Sequence, residues 1–277
     1  MTQEMEIISV GNELLIGKVL NTNAEWLSKR ATNLGITVKR VTVVPDNVNE
    51  TALVIRETLK RKPQFVVTTG GLGPTFDDKT LEIIAKAFSC KLVVNNAALE
   101  MVKKKYQTYA HKKGRDCMEL SPSRVKMATI PENAKPIPNP VGAAPAIRID
   151  FDGTVLIALP GVPREMEAIF EENVAPLLKS ASRGNRFYEE SLYLDGIMES
   201  ELAPLIEKVM QENPGIYVKS HPRGAEKKPH LEIHFSLTSP DHEPAQKRIH
   251  TAVSQFIDLI TRILSPRRFT KADDETN

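Results

Sequence analysis

The residues best suited to chemistry lie in the stretch TTGGLGPTFDDKT, residues 68–80, which combines three glycines with two adjacent aspartates. The apolar run at residues 65–67 predicts a buried parallel strand before it, and residues 81–88 have the pattern of an amphipathic helix after it. Glycines at such a junction leave backbone N–H groups unpaired where the helix begins, and the positive helix end adds to their attraction for anions. The stretch therefore indicates a phosphate site.

Two carboxylates, Asp77 and Asp78, follow this glycine-rich turn directly. Carboxylates beside a phosphate repel it unless a cation lies between them, and hard divalent ions prefer oxygen ligands. We therefore expect a divalent cation, Mg²⁺ or a transition metal, at this junction. The alternative is structural, because Thr75 and Asp78 have capping-box spacing, with Thr75 as the N-cap, and the glycines would then serve only a tight turn.

Composition and charge narrow the classes of partner. The chain has 277 residues with 37 Lys and Arg against 35 Asp and Glu, a formal charge of +2, which gives no general case for nucleic acid or an anionic membrane. Its two cysteines, Cys90 and Cys117, match no metal-ligand spacing. No apolar run has the length of a membrane span, and the N-terminus is polar. We expect a cytoplasmic protein that binds a small molecule.

The order of elements predicts the fold class. Residues 5–88 alternate three strands with three helices, the pattern of an α/β fold with a mostly parallel sheet and helices on both faces. Glu13 and Asp46 each stand just beyond one of the strands. Open α/β sheets bind ligands at the carboxyl ends of their strands, so Glu13 is expected near Asp77 and Asp78 if the two strands are neighbours.

The later sequence predicts a hairpin and a second domain. Residues 146–151 and 154–159 are alternating strands joined by Asp152 and Gly153, and a helix is expected to start at Pro163. We expect residues 114–120 to form a loop or short helix and residues 124–127 to be irregular. The sequence divides into a first domain at 1–180, a linker at 181–185, a small α+β domain at 187–265 and a disordered tail at 266–277.

One alternating triplet in the second domain, His230, Glu232 and His234, places three potential metal ligands on one face of a strand. A wet polar face explains the pattern as well, because Leu231 and Ile233 form the opposite, apolar face.

Several motifs together resemble one family. They are GNELL with Gly17 at residues 11–17, NTN at 21–23, TGGLGPT with DDKT at 69–80, NPVG at 139–142 and PGVPREM at 160–166. The combination is similar to the N-terminal domain of the CinA (competence/damage-inducible protein) family, which is related to the molybdopterin-binding domains of MoaB and MogA. The resemblance covers residues 5–180, and residues 187–265 resemble the small KH-like domain that follows in that family. The amidase domain of longer members is not found in this sequence, so its deamidase activity is not expected.

The resemblance implies a divalent-metal-dependent pyrophosphatase that acts on ADP-ribose or a related nucleotide. The alternative is a non-catalytic protein that binds molybdopterin or a nucleotide, as relatives in molybdenum-cofactor biosynthesis do. The family also implies a homodimer. RNA binding is not expected, because the Gly-x-x-Gly loop of KH domains is missing from residues 187–265. One departure is Asn47, which follows Asp46 where many relatives carry a second aspartate.

The same resemblance assigns roles to individual residues. The metal ligands or catalytic carboxylates are Asp77, Asp78 and Glu13, the last as ligand or base. The residues implied to bind substrate are Gly70, Gly71, Gly73, Thr75, Thr80, Asn12, Asn21, Asn23, Asp46, Asn139, Gly142 and Glu165.

Overall fold

The structure is a computed structural model that describes residues 3–112, 120–223 and 230–264, and the chain divides into two compact units, up to Arg183 and from Gly184 onward. The elements of the first unit, in chain order, are β1 (Gln3–Val10), α1 (Asn12–Leu15), α2 (Thr22–Asn33), β2 (Ile36–Val44), α3 (Val48–Lys60), β3 (Phe65–Thr69), α4 (Thr80–Ala87), β4 (Leu92–Val94), α5 (Asn96–Lys112), α6 (Pro122–Lys126), β5 (Thr129–Pro131), β6 (Lys135–Ile137), β7 (Ala146–Phe151), β8 (Thr154–Leu159), α7 (Pro163–Ile169) and α8 (Ala175–Ala181). A π-helical turn, Phe170–Val174, joins α7 to α8.

Six strands form the main sheet in the order β2-β1-β3-β8-β7-β6. The first four are parallel, whereas β7 pairs antiparallel with β8, and the edge strand β6 pairs antiparallel with β7. Ser9 of β1 pairs with Thr69 of β3, and Thr69 pairs with Leu159 of β8, so the three strands end at the same edge. The predicted α/β class with a mostly parallel sheet is confirmed.

Helices cover both faces of this sheet because its central strands are apolar on both sides. Ile8 of β1 packs in one core beside α3 and α4, and its neighbour Ile7 packs in the other core beside α2 and α7. Val66 and Val67 of β3 divide between the two cores in the same way. Successive strand residues point to opposite faces, so a continuous apolar run fits only a sheet that is covered on both sides. The result is the three-layer arrangement that the alternation of elements predicts.

One local prediction was wrong. Residues 124–127 were expected to be irregular, but α6 forms there with Pro122 in its first turn. Proline presets the backbone angle of a first helical turn and needs no N–H partner in that position. Residues 114–119 of the expected loop lie outside the described residues.

The second unit is a small α+β domain, as predicted. Its elements are β9 (Arg186–Asp195), α9 (Glu199–Glu212), β10 (Tyr217–Pro222), β11 (His230–Ser239) and α10 (His242–Leu264). The three strands form an antiparallel sheet in the order β10-β11-β9, and both helices pack on one face of it. The likeness to KH domains stays a prediction, and residues 266–277 of the expected tail lie outside the described residues.

The potential metal ligands of β11 contact separate partners. His230 Nδ1 lies 2.6 Å from a carboxylate oxygen of Asp195, and His234 Nε2 lies 2.9 Å from one of Glu189. Glu232 is buried and accepts hydrogen bonds from neighbouring serine and arginine side chains. Within the described ranges, no group of three or more His, Cys, Asp or Glu side chains is placed to hold a metal ion. The same ranges contain no helix long and apolar enough to cross a membrane.

Candidate functional site

A cavity of about 600 Å³ opens at the carboxyl ends of β1, β3 and β8. The loops that follow these three strands supply most of its lining. The predicted site residues that line it are Glu13, Asn21, Asn23, Asp46, Gly70, Gly71, Gly73, Asp77, Asp78 and Glu165. Another five predicted residues do not line the cavity but contact residues that do, namely Asn12, Thr75, Thr80, Asn139 and Gly142.

Gly70 is required for close packing and does not supply a free amide. Its N–H donates to the carbonyl oxygen of Leu159 at 3.1 Å, which closes the turn onto the neighbouring strand. Its φ is +109°, and an added Cβ would stand 2.2 Å from the carbonyl oxygen of Val10. The prediction that the Gly70 amide binds phosphate is therefore not supported, because the end of β8 takes that N–H.

Gly71 and Gly73 keep the character of an anion cradle. Among the described residues, neither N–H has a hydrogen-bond acceptor. A Cβ on Gly71 would stand 2.4 Å from the Thr80 hydroxyl oxygen, and one on Gly73 would stand 2.6 Å from Asp78 Oδ2. Adjacent unpaired amides in a glycine turn form a concave site that favours anions.

Thr80, the first residue of α4, fastens this turn instead of facing the ligand. Its side chain is fully buried, and its hydroxyl donates to the carbonyl oxygen of Gly70 at 2.8 Å. Its backbone N–H donates to the carbonyl oxygen of Gly71 at 3.0 Å. Thr80 therefore positions the glycines.

The two aspartates share one hydroxyl partner. The Thr75 hydroxyl contacts Asp77 Oδ1 and lies 2.5 Å from Asp78 Oδ2, which also accepts the Thr75 N–H at 2.8 Å. This is a turn inside the loop, and α4 begins only after Lys79. The capping-box alternative was wrong for this reason. The turn holds both carboxylates side by side at the cavity.

Hydrogen bonding favours the charged form of Asp77. The Thr75 hydroxyl is the main cause that keeps the pKa of this carboxyl below its usual range, and the positive charges of Lys126 and Lys79 act in the same direction. The Lys126 ammonium also donates to the carbonyl oxygen of Thr75. Lys126 thus stabilises the turn that holds Asp77 and Asp78.

Glu13 lines the cavity from the short helix α1 that follows β1, and β1 lies next to β3 in the sheet. Its carboxylate folds back over Gly11, where an added Cβ would stand 2.4 Å from Oε1. Behind it, Asn12 N–H donates to Asp46 Oδ2 at 2.9 Å, which joins the loops after β1 and β2. Asn47, where many relatives were expected to carry an aspartate, caps α3 through Oδ1.

Asn21 and Asn23 are held by the protein. Asn21 Oδ1 accepts from the Ser9 hydroxyl at 3.1 Å and from the Ala24 N–H at 3.3 Å, as the N-cap of α2. Asn23 Nδ2 donates to the Thr69 hydroxyl oxygen at 3.0 Å and to the carbonyl oxygen of Gly161, in the loop after β8, at 2.8 Å. Asn23 Oδ1 is buried and has no donor among the described residues.

Glu165 enters the cavity from the first turn of α7, where Asn139 holds it. Asn139 Nδ2 donates to Glu165 Oε2 at 2.7 Å, and Asn139 Oδ1 accepts the Gly142 N–H at 2.6 Å. The Lys105 ammonium donates to the carbonyl oxygen of Pro140 at 2.6 Å. Burial lowers the pKa of Lys105 against an opposing effect of nearby Glu165.

The lining is acidic. It contains five carboxylates and, within the described residues, no lysine, arginine or histidine. An anionic ligand therefore needs a cation to accompany it. The adjacent oxygen donors of Asp77 and Asp78 fit Mg²⁺, which proteins commonly bind through one or two carboxylates together with phosphate oxygens of the substrate.

The apolar part of the site was not predicted from the sequence. Its apolar and aromatic walls include Leu14, Val19, Leu20, Tyr106, Met127, Ala143 and Val162. Lys105 does not line the cavity, but it is half-buried and supports the loop of Asn139 through its bond to the Pro140 carbonyl. Exposed apolar residues close to predicted ligand groups were the available signal.

Comparison with known proteins identifies the first unit. Residues 6–180 match the family model of the probable molybdopterin binding domain. A protein from Pyrobaculum calidifontis is 45% identical over 255 residues, covering 92% of this chain and 94% of the relative. A protein from Aeropyrum pernix is 47% identical over 220 residues, covering 79% of each chain.

One solved structure is also informative. The crystal structure of the protein CinA, of unknown function, from Thermoplasma acidophilum is 42% identical, with a TM-score of 0.55. The match covers 61% of this chain and 95% of that chain. With the family model spanning most of the first unit, the chain belongs to the family of probable molybdopterin binding domains.

Proposed function

We propose that the cavity binds a phosphorylated pterin similar to molybdopterin, or a nucleotide, together with a divalent cation. The observation that carries the proposal is that Gly71 and Gly73, whose N–H groups have no acceptor among the described residues, lie in one cavity with the adjacent carboxylates of Asp77 and Asp78. The family match supports a ligand of this class. A cation would neutralise the phosphate charge in a lining to which the described part of the chain contributes no basic side chain.

The chain's own groups divide the work of binding. The two glycine amides donate hydrogen bonds to phosphate oxygens, and Asp77 and Asp78 hold the cation directly or through water. Leu14, Leu20 and Val162 offer apolar surface against which a planar ring packs. The ligand is therefore expected to lie with its phosphate near the glycine turn.

A fluorescence titration with a pterin monophosphate in Mg²⁺ tests this function. We expect saturable binding by the native chain, weakened at least tenfold by Asp78→Asn, because an amide loses the charge that attracts the cation. Asp152→Asn is the matched control, since Asp152 lies outside the cavity in an exposed pair with Lys62. Equal pterin affinity of all three proteins would contradict the proposal.

A second candidate is the metal-dependent hydrolysis of ADP-ribose or a related nucleotide. It is favoured by Glu13, a third carboxylate that reaches the cavity from a different loop. In this scheme Glu13 takes a proton from water, the water oxygen bonds to phosphorus, and the phosphorus–oxygen bond of the diphosphate breaks to release AMP and ribose phosphate. AMP formed by the native chain but not by Glu13→Gln or Asp78→Ala supports this candidate. No AMP with Mg²⁺, Mn²⁺, Co²⁺ or Ni²⁺ leaves binding as the function.

We also propose that the chain is of the CinA type within this family, on the strength of its identity to the Thermoplasma protein. The KH-like character of the second unit and the homodimer belong to the same proposal. Sedimentation of the purified chain tests the homodimer, and a monomer at all concentrations contradicts it.

A further inference from the structure

Asn139 uses its whole side-chain amide within the protein. Its Oδ1 accepts the N–H groups of Val141 at 3.0 Å and Gly142 at 2.6 Å, and its Nδ2 donates to the Ala144 carbonyl at 2.9 Å and to Glu165 Oε2 at 2.7 Å. An amide offers two donors and two acceptor sites, so none is left for a ligand. The two backbone N–H groups also fix which end of the amide is oxygen. Asn139 is therefore a positioning residue for Glu165.

Two side chains of α5 hold the loop that carries Asn139. The Lys105 ammonium donates to the carbonyl of Pro140 at 2.6 Å, and the Tyr109 hydroxyl donates to that of Val141 at 3.2 Å. The Glu165 carboxylate packs against the backbone of Gly142, since a Cβ added to Gly142 would stand 1.9 Å from Oε2. The carboxylate is thus bonded on one oxygen and packed against backbone before any ligand arrives.

The other oxygen of Glu165 is available to a ligand. Among the described residues, Oε1 accepts no hydrogen bond, and the residue lines the cavity. An ionised carboxylate is an acceptor only and can take two parallel hydrogen bonds. Oε1 keeps both of its acceptor sites and Oε2 keeps one beside the Asn139 bond, so this fixed carboxylate favours ligands that present two neighbouring donors.

We propose that Glu165 is the specificity-determining residue of the cavity and reads a pair of adjacent hydrogen-bond donors on the ligand. The inference rests on the proposed binding function and adds which part of the ligand is selected. Two ligand parts offer such a pair: the amino group and ring N–H of a pterin or guanine, and the neighbouring hydroxyls of a ribose. A site built around a buried hydrogen bond discriminates strongly against ligands that lack the donor.

Calorimetric titrations in Mg²⁺ with GMP, AMP and their 2′,3′-dideoxy forms distinguish the ring edge from the ribose hydroxyls as the donor pair. A titration with inorganic pyrophosphate measures binding at the phosphate site alone. The variant is Glu165→Gln, whose oxygen can keep the Asn139 bond while its NH₂ group faces the ligand donors. The control is Glu167→Gln, in the same helix but outside the lining. We expect Glu165→Gln to lose about 5- to 150-fold in affinity for the preferred nucleotide, the range of one bidentate contact, with pyrophosphate affinity unchanged.

The pattern of losses identifies the donor pair. A preference for GMP over AMP that disappears in Glu165→Gln assigns the ring edge. Equal binding of GMP and AMP, with weaker dideoxy forms only in the native chain, assigns the ribose. Unchanged nucleotide affinities in Glu165→Gln, with pyrophosphate bound normally, would overturn the inference and leave the proposed function standing. A native chain that binds neither pyrophosphate nor nucleotide would overturn both.

Discussion

Asn23 Nδ2 donates a hydrogen bond to the carbonyl oxygen of Gly161, 2.8 Å away, and so links the first turn of α2 to the loop after β8. The same nitrogen donates to the hydroxyl oxygen of Thr69 at the end of β3, which lies between those two strands. In addition, Gly161 packs on Gly70, since a Cβ on Gly161 would stand 3.3 Å from the Gly70 Cα. One side chain therefore connects the start of α2, the end of β3 and the loop after β8, all of which contribute to the cavity lining.

Replacing this side chain should loosen the cavity. We expect Asn23→Leu to lower the free energy of unfolding by about 1–3 kcal/mol, because a carbonyl and a hydroxyl lose their donor, and to weaken pyrophosphate binding in Mg²⁺. Urea unfolding and calorimetry measure the two effects. Asn173→Leu, which removes only a 3.5 Å bond to the Ile169 carbonyl, should cost less and leave binding intact. Equal effects of the two variants would contradict the role of Asn23.

Gly70 should tolerate no side chain. Gly70→Ala combines a backbone φ of +109° with a Cβ 2.2 Å from the Val10 carbonyl oxygen, so we expect a destabilisation above the 1–3 kcal/mol that an unfavourable backbone conformation alone costs. Gly153→Ala is the control, with φ +82° and, in the part of the chain that the structure describes, no heavy atom within 4 Å of the added Cβ. Thermal unfolding compares them. A Gly70→Ala protein as stable as Gly153→Ala would mean that the turn shifts easily.

Two arginine–glutamate pairs should differ in their contribution to stability. Arg61 donates two hydrogen bonds to Glu6, at 2.8 and 2.6 Å, and Glu6 is only 4% exposed. We expect Arg61→Leu to destabilise by about 3 kcal/mol, because it leaves a buried carboxylate unpaired. Arg30→Leu removes the more exposed pair with Glu171 and should cost less than about 1 kcal/mol. Denaturant titrations of both variants measure the two losses in free energy of unfolding. Equal losses would contradict this ranking.

The Arg30–Glu171 pair gives a defined pH dependence. The hydrogen bond from Arg30 lowers the pKa of Glu171 below its ordinary value of 4.5. A carboxyl with a lowered folded-state pKa adds stability above its unfolded pKa, and that stability is lost as the pH falls through the lowered value. We expect Glu171→Gln to unfold with a shallower loss of stability below pH 4.5 than the native chain. Parallel curves for the two proteins would contradict the pairing.

The fold was largely predictable because its signals are local. The run at residues 65–67 is apolar without interruption, which is typical of a strand buried on both faces, and Asn21 marks the start of α2. The short helix α6 was missed because its apolar pattern is too short to show a period.

The site was predictable in its residues but less in their roles. Gly70 and Thr80 stand in the right motif, yet their partners are Leu159 and each other, and these contacts depend on which strands are neighbours. The family resemblance implies that Asn139 binds the ligand, but its four hydrogen bonds within the protein follow from the loop conformation. Sequence motifs thus identify the residues that gather at the cavity. Tertiary structure determines which of them are free to contact a ligand and which position other residues.

The most direct test of the central claim is calorimetric titration of the native chain with inorganic pyrophosphate, once in Mg²⁺ and once in EDTA, beside Asp78→Asn and the control Asp152→Asn. We predict binding by the native chain and by Asp152→Asn in Mg²⁺ only, and a loss of at least tenfold in Asp78→Asn, because an acidic cavity accepts a polyanion only with a cation. Binding that is as tight in EDTA as in Mg²⁺, or that is unchanged in Asp78→Asn, would contradict the account of this cavity.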